Sequence, residues 1–420
     1  MSNLRRGKPF ARDQAAFIFG AWQATGAAVL LLMAATACAD IDVEAEFRER
    51  MAGKIMTVLG PIDPADAGIT LPHEHLFIDF RLPLDEPWRW PLAQREFPGT
   101  DDLLELWHTP ITLQNLAFVK SNIWQVEEAV LIEDEEVVLG EVAAFRGAGG
   151  GTIVDVTPIG LGRDARRLAR LAEQSGLHIV MGAGWYREAW RPQSFDERSV
   201  DSLAEEMVRD IVSGIGGIGG IGGIGGSAVH AGIIGEIPAM TIVTEPADSS
   251  DVRQLRAAAR ASRRTGATIS LHQWVADGSR LMKTLDILEA EGADLSRVIV
   301  GHIGGDAVAQ VPLLEQALAR GVTLQSDLFG VPFYLASPSL DNRIMADLVS
   351  NLIAEGYSRQ LLLSHDTCTR LQQKAYGGHG LDYVLLEVVP YLQAQGASDA
   401  QIEDILIRNP ARLLTFPAVQ

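Results

Sequence analysis

His73 and His75 stand one residue apart in the stretch ITLPHEHLFID. On a β-strand that spacing sends both imidazoles to one face, where they can share a metal ion. Four more side chains of the metal-ligand type sit at or near the ends of short apolar runs: Glu236 in AGIIGEI, His272 in TISLH, His302 in RVIVGH and Asp366 in LLLSHD. Four histidines and two carboxylates suit two borderline divalent ions better than one, because a single catalytic zinc ordinarily takes three protein ligands. Zn2+ is the expected ion, with Mn2+, Co2+ and Fe2+ as alternatives. Two such ions would hold a bridging water and lower its pKa towards neutrality, giving a hydroxide nucleophile. The expected chemistry is hydrolysis, with Glu236 and Asp366 as catalytic carboxylates and Asp366 taking up the proton.

Residues this far apart meet only if regular elements bring them together. Each sits where a strand-like run ends, and most of the runs follow a helix-like segment and a Gly or Asp turn. Strand-then-helix alternation over this length predicts an α/β chain folded as a (β/α)8 TIM barrel, with a binuclear metal site at the C-terminal ends of the strands. TIVDVT, HIVMGAGWY and VTLQSDL supply the second, third and seventh strands, and Glu133 to Arg146 has helical spacing. Asn409 and Pro410 read as N-cap and first residue of the closing helix. The first strand leads into a long Pro- and Trp-rich connection, 80–122, expected to be a lid or pocket wall.

At this point the chain resembles the phosphotriesterase-related family of the amidohydrolase superfamily, in its glutamate-bridged branch. The resemblance runs from Met56 to Phe416 and rests on TVLGPIDPADAGITLPHEHL, GGGTIVDVTPIGLGRD, AGIIGEI, LLLSHDTCTRLQQKAYGGHGLDYVLLEVVPYL and RNPARLLTF. It implies that His73, His75 and Asp366 hold a buried ion, that His272 and His302 hold a more exposed one, and that Glu236 bridges both. Many relatives use a carboxylated lysine as the bridge; Glu236 supplies the same bidentate anion, so no carbon dioxide requirement is expected. Organophosphate-degrading members carry a histidine after the seventh-strand aspartate to relay protons. Here Leu328 follows Asp327, so the relay is absent or rebuilt from His365 or His379, both of which are expected to be structural.

The resulting expectation is a metal-dependent hydrolase that cleaves an ester-type bond in a lactone, carboxylester or phosphoester. The alternatives are an amidase acting on N-acyl amino-acid-like substrates, a deaminase-like member of the superfamily, and a non-catalytic metal-binding barrel. Trp185, Tyr186, Trp274 and Phe329 follow strand ends and are candidate substrate contacts. Tyr376 is a further aromatic candidate, and Arg187 or Arg370 is a candidate partner for an acidic substrate group.

With 420 residues and 47% hydrophobic content, one domain over 51–420 accommodates the barrel. A net charge of −19 argues against a nucleic-acid partner, leaving a small-molecule substrate and a homodimer as the partners to consider. Two cysteines, Cys38 and Cys368, exclude a disulfide framework, and Cys368 is expected to be a small semi-buried residue. Residues 1–50 form an N-terminal extension in which Arg5, Arg6, Lys8 and Arg12 precede an uncharged run from Gln14 to Ala39. That run reads as a signal or membrane-anchor segment, giving an exported or anchored protein, or as an over-extended start before a cytoplasmic one beginning at Met51. GIGGIGGIGGIGG, inside a Gly/Ile-rich insertion over 213–230, matches a dinucleotide fingerprint, but a helix precedes it and a strand follows it. It is expected to be a surface loop at the end of the barrel away from the metals.

Overall fold

The computed structural model describes residues 43–215, 228–239, 249–274, 278–331 and 340–418. The leader expectations for 1–42 and the core of the Gly/Ile insertion lie outside the described residues. Among the described residues no helix is long and apolar enough to cross a membrane.

Eight strands alternate with eight helical segments. β1 (Ile69–Glu74), β2 (Gly150–Asp155), β3 (His178–Ala183), β4 (Ile233–Pro238), β5 (Ile269–His272), β6 (Val298–Val300), β7 (Thr323–Ser326) and β8 (Leu361–Leu363) pair in parallel with their sequence neighbours. Between them run α1 (Glu135–Gly147), α2 (Ala165–Ser175), α3 (Val200–Val212), α4 (Ser250–Thr265), α5 (Gly278–Ala290), α6 (Val311–Ala319) and α7 (Asn342–Ala354). The expected TIM barrel is the observed architecture. The strands read as apolar runs because they are covered on both faces: every residue of β4 through β8 is buried. Side-chain caps start the helices, with Asp134, Asp164, Ser199 and Asp341 each accepting from the first-turn amides of α1, α2, α3 and α7. β3 and β4 approach so closely that a Cβ on Gly182 would stand 2.1 Å from the Gly235 carbonyl oxygen.

The barrel closes between β8 and β1, and side chains make that seam. The His73 amide donates to Ser364 Oγ at 3.1 Å, and the Asp366 amide donates to the His73 carbonyl at 3.2 Å. Glu74, which alternates away from its two histidine neighbours, accepts from Ser364 Oγ, the His365 amide and His365 Nδ1 on one oxygen and from the Thr367 amide on the other.

Three details differ from the sequence expectations. The closing helix is one continuous run, Asp399–Glu403, Asp404–Arg408 and Asn409–Leu414, capped by Ser398; Asn409 is therefore interior, and its side chain donates to the Ser358 and Leu361 carbonyls. The connection after β1 carries three short helices, Arg89–Leu92, Asp101–Trp107 and Leu116–Ser121, rather than open loop. Residues 43–51 form a helix docked on the barrel, with Phe47 edge-on to Phe416 at 5.4 Å and Met51 buried, so the barrel unit includes residues before the boundary drawn at Met51.

Candidate metal centre

All six expected ligand residues converge at the C-terminal ends of the strands. His75 Nε2 lies 3.1 Å from Asp366 Oδ1 and 3.5 Å from Glu236 Oε1, and His73 Nε2 lies 3.5 Å from Glu236 Oε2 and 3.6 Å from Asp366 Oδ1. Glu236 Oε2 is 3.7 Å from His302 Nε2 and 4.0 Å from His272 Nε2. Two overlapping clusters result, His73–His75–Asp366 and His73–Glu236–His302. His302 (φ 56°) and Asp366 (φ 49°) both hold left-handed backbone conformations, an uncommon cost that concentrates at functional sites.

These residues fit divalent ions. His73 Nε2, His75 Nε2, Glu236 Oε2 and His272 Nδ1 are buried polar atoms with no hydrogen-bond partner. Buried polar atoms are nearly always bonded, so four orphans in one cluster call for a shared partner. The separations also suit zinc, whose bonds of about 2.0–2.1 Å to nitrogen put tetrahedral ligand atoms roughly 3.3 Å apart.

A layer of supporting groups, which the sequence reading did not anticipate, fixes the rings. Asp327 Oδ1 accepts from the backbone amide and Nδ1 of His302, both at 2.9 Å, while Oδ2 lies 3.1 Å from His73 Nδ1 and accepts from Gln325 Nε2 at 2.7 Å. Thr157 Oγ1 meets His75 Nδ1 at 2.9 Å, and Tyr186 Oη meets His272 Nε2 at 2.8 Å. A carboxylate only accepts, so the Asp327 contacts place the proton on Nδ1 and leave Nε2 facing the cluster. Burial lowers His302, yet Asp327 and Glu236 bring it up to about 10; His272 is pulled down by burial to about 3, since the nearby charge of Glu236 offsets burial only in part and His302 adds to the lowering. Burial raises Glu236, but His272, His302 and His73 together hold it well below the ordinary carboxylate range. Burial, and then the charge of Glu236, keep Tyr186 a neutral phenol.

The cluster opens into a cavity of about 270 Å³ lined by Phe80, Arg95, Trp124, Tyr186, Arg187 and Trp274 among others. Two of the four aromatic candidates are placed elsewhere. Trp185 turns away from Tyr186 and packs edge-on against Phe195 at 5.4 Å, and Phe329 is buried behind Leu328, which takes the cavity position. Both follow from alternation, which sends adjacent side chains to opposite sides. Arg370 pairs with Glu128 at 2.6 Å and Tyr376 stacks on it, so neither reaches the cavity, whereas Cys368 does line it. His365 is held by Glu74 at Nδ1 and accepts from the Val384 amide at Nε2, and His379 stacks on Tyr383. The wall supplied by the connection after β1 consists of Phe80, Ala93, Gln94, Arg95 and Trp124.

A family model described as the Phosphotriesterase family matches residues 53–414. The chain belongs to the phosphotriesterase family. It is 33% identical over 374 residues to an N-acetyltaurine hydrolase of Xenopus tropicalis, an alignment that takes in 87% of this chain and 99% of that relative. Among solved structures it is similar to a resiniferatoxin-binding protein from Rhodobacter sphaeroides, with a TM-score of 0.74, 30% identity, and coverage of 86% of this chain and 95% of that one. It is also similar to a phosphotriesterase from Mycobacterium tuberculosis, with a TM-score of 0.63, 28% identity, and coverage of 86% and 98%. The protein is a phosphotriesterase-family hydrolase, and the two-metal dependence of that family agrees with the four orphaned ligand atoms.

Proposed function

We propose that this hydrolase uses two divalent ions, most simply Zn2+, to cleave the amide bond of small N-acylated amino acids or amino sulfonates. The observation that carries the reading is the convergence of six ligand side chains, four of them with orphaned atoms, on one small cavity. His73, His75 and Asp366 would hold one ion, His272 and His302 the other, and Glu236 both. The choice of amide over ester is supported by the N-acetyltaurine hydrolases among the relatives, which match almost end to end. A cavity of about 270 Å³ lies just below the usual range of drug-sized pockets and suits a compact substrate.

When bound, the ions supply acidified water as nucleophile and positive charge against the carbonyl oxygen. Asp366 is the most solvent-accessible of the six, at 14% for its side chain against 8% or less for the others, so its carboxylate can accept the water proton and present it to the leaving amine nitrogen. That handover is direct, since both nitrogens of His365 are engaged elsewhere and Leu328 stands where a relay would be needed. The C–N bond breaks, the acyl group leaves as a carboxylate, and the amine leaves protonated. Trp124, Trp190 and Trp274 screen the reaction from bulk water.

Ester and lactone cleavage would use the same groups with less demand for leaving-group protonation. A purified, zinc-loaded sample assayed on N-acetyltaurine, N-acetyl amino acids, lactones, aryl esters and phosphotriesters separates the readings. The amide reading expects kcat/KM on an N-acyl substrate to exceed every ester by at least ~100-fold. Ester turnover without amide turnover would overturn it.

A further inference from the structure

Arg95 enters the cavity wall from the connection after β1, far in sequence from any of the six ligand residues. Its guanidinium is held in an aromatic cradle, 4.2 Å from the Trp124 ring centre, 5.1 Å from Trp190 and 5.7 Å from Phe80, and Nη1 donates to the Phe80 carbonyl at 2.8 Å. No described carboxylate pairs with it. Arg187, next to Tyr186 in the same cavity, also has no described carboxylate partner. The contrast with neighbouring arginines is sharp: Arg89 pairs with Glu86, Arg191 with Asp251 and Arg370 with Glu128. Burial, opposed in part by Tyr186 and reinforced by Arg187, pulls Arg95 down to about 9, and it still carries its charge at neutral pH. Two cations thus sit in a largely aromatic wall, and the carboxylates that share their cavity, Glu236 and Asp366, are committed to the histidine cluster.

We propose that Arg95 and Arg187 read the anionic terminus of the substrate, a carboxylate or sulfonate carried on the leaving amine. The proposal rests on the amide reading above and extends it from bond type to recognition. A planar guanidinium meets two oxygens of a carboxylate or sulfonate side by side, and the aromatic cradle fixes the fork so that little ordering is needed on binding. Neutral lactones and triesters have no group to offer it. With the acyl carbon at the histidine cluster and the anion at the arginines, the substrate lies across the cavity in one direction only.

The test compares N-acetyl-β-alanine and N-acetyltaurine with the neutral N-acetyl-β-alaninamide on zinc-loaded protein. Wild type is expected to favour the anionic substrates in kcat/KM by at least ~100-fold, and Arg95→Gln and Arg187→Gln to cut that ratio by at least ~30-fold, mainly through KM, with Arg95→Lys intermediate. A ratio within about twofold of wild type in both glutamine variants would overturn the proposal. The Arg187 side chain makes no described hydrogen bond, so its variant serves if Arg95→Gln does not fold. Should wild type cleave esters but no amide, the amide reading fails while the recognition claim is still decided by binding: N-acetyltaurine is expected to quench the Trp124 and Trp190 fluorescence saturably in wild type and not in Arg187→Gln. No quenching in wild type would overturn it.

Discussion

Asp327 holds His302 twice through a single oxygen, Oδ1, which accepts from both the backbone amide and the ring Nδ1 of His302 at 2.9 Å. The same carboxylate reaches His73 with its other oxygen, so one group aims a ring from each half of the cluster. Asp327→Asn keeps the shape but offers only one accepting oxygen, and Asp327→Ala offers none. We expect apparent zinc affinity to fall by ~10–100-fold in either variant, with Ala the worse, as is usual when a histidine loses its supporting acceptor. Chelator competition monitored by metal content per chain measures this, and unchanged affinity in Asp327→Ala would remove Asp327 from the supporting role.

Protons and metal ions compete for the same nitrogens. His302, lowered by burial but raised more by Asp327 and Glu236, titrates at about 10 in the metal-free protein, and His73 is likewise raised well above its ordinary value. Both are protonated at neutral pH before metal binds, and a ligand histidine must be neutral. Raised pKa values stabilise the metal-free fold below the unfolded histidine pKa, and that contribution fades as pH climbs towards 10. Metal affinity should therefore increase with pH, by up to about tenfold per unit for each proton displaced. Calorimetry of zinc binding at pH 7 in buffers of different ionisation enthalpy should register proton release, and the absence of any release would contradict the protonated state.

Glu236 lies within 4.0 Å of ring nitrogens of His73, His75, His272 and His302. Its replacement by Ala should abolish retention of two ions and hydrolysis together, while Glu236→Gln retains the fold but loses most metal. A glutamate needs no covalent modification to serve as the proposed bridge, so stripped wild-type protein should regain full activity from zinc alone, with added bicarbonate making no difference. A bicarbonate requirement, or full activity in Glu236→Ala, would show that the bridge is made by something else.

The ligand residues were legible because each closes an apolar run, so strand, end and chemistry coincide in a few letters. The supporting groups were not. Gln325 and Thr157 have ordinary positions in sequence and gain meaning only from which ring stands opposite. Direction misled where neighbours were taken together: Trp185 with Tyr186, and Phe329 after Leu328, cannot both face one cavity in an extended chain. Arg95 was illegible for a different reason, since it belongs to a long connection whose path no periodicity specifies. Asn409 and Pro410 carry the letters of a helix start, yet Ser398 had already begun that helix one element earlier.

Phe47 and Met51 make residues 43–51 part of the barrel unit, and Glu44 adds an ion pair to Arg264. A chain beginning at residue 43 keeps the Phe47 contact on Phe416, whereas one beginning at Met51 loses it. Removing a buried phenylalanine ring costs about 3–5 kcal/mol. The shorter chain should melt at least ~5 °C lower in differential scanning calorimetry, and Phe47→Ala in the longer chain should reproduce most of the difference. Equal melting points would show that the helix only rests on the surface.

Glu74 is the last group whose removal discriminates between fold and chemistry. It sits between His73 and His75 at the end of β1 yet faces the seam, taking four hydrogen bonds from Ser364, His365 and Thr367 just after β8. Burial raises its pKa, but His365 beside it and the bonds from Ser364 and Thr367 lower it further than burial raises it, so it is held below the ordinary carboxylate value of 4.5. A depressed carboxylate contributes stability above the unfolded pKa, and the contribution is lost as pH falls through the folded one. Glu74→Gln should therefore lower the urea midpoint of metal-stripped protein at pH 7, by an amount equivalent to about 1.5–3 kcal/mol for the loss of hydrogen bonds to a buried charged acceptor. As pH falls below 4.5 and through the lowered folded pKa, the wild type should lose that advantage and the two curves should approach each other. If the gap instead stayed constant as pH fell from about 7 to well below 4.5, the seam would owe its strength to packing of β1 on β8 and not to the ionised Glu74.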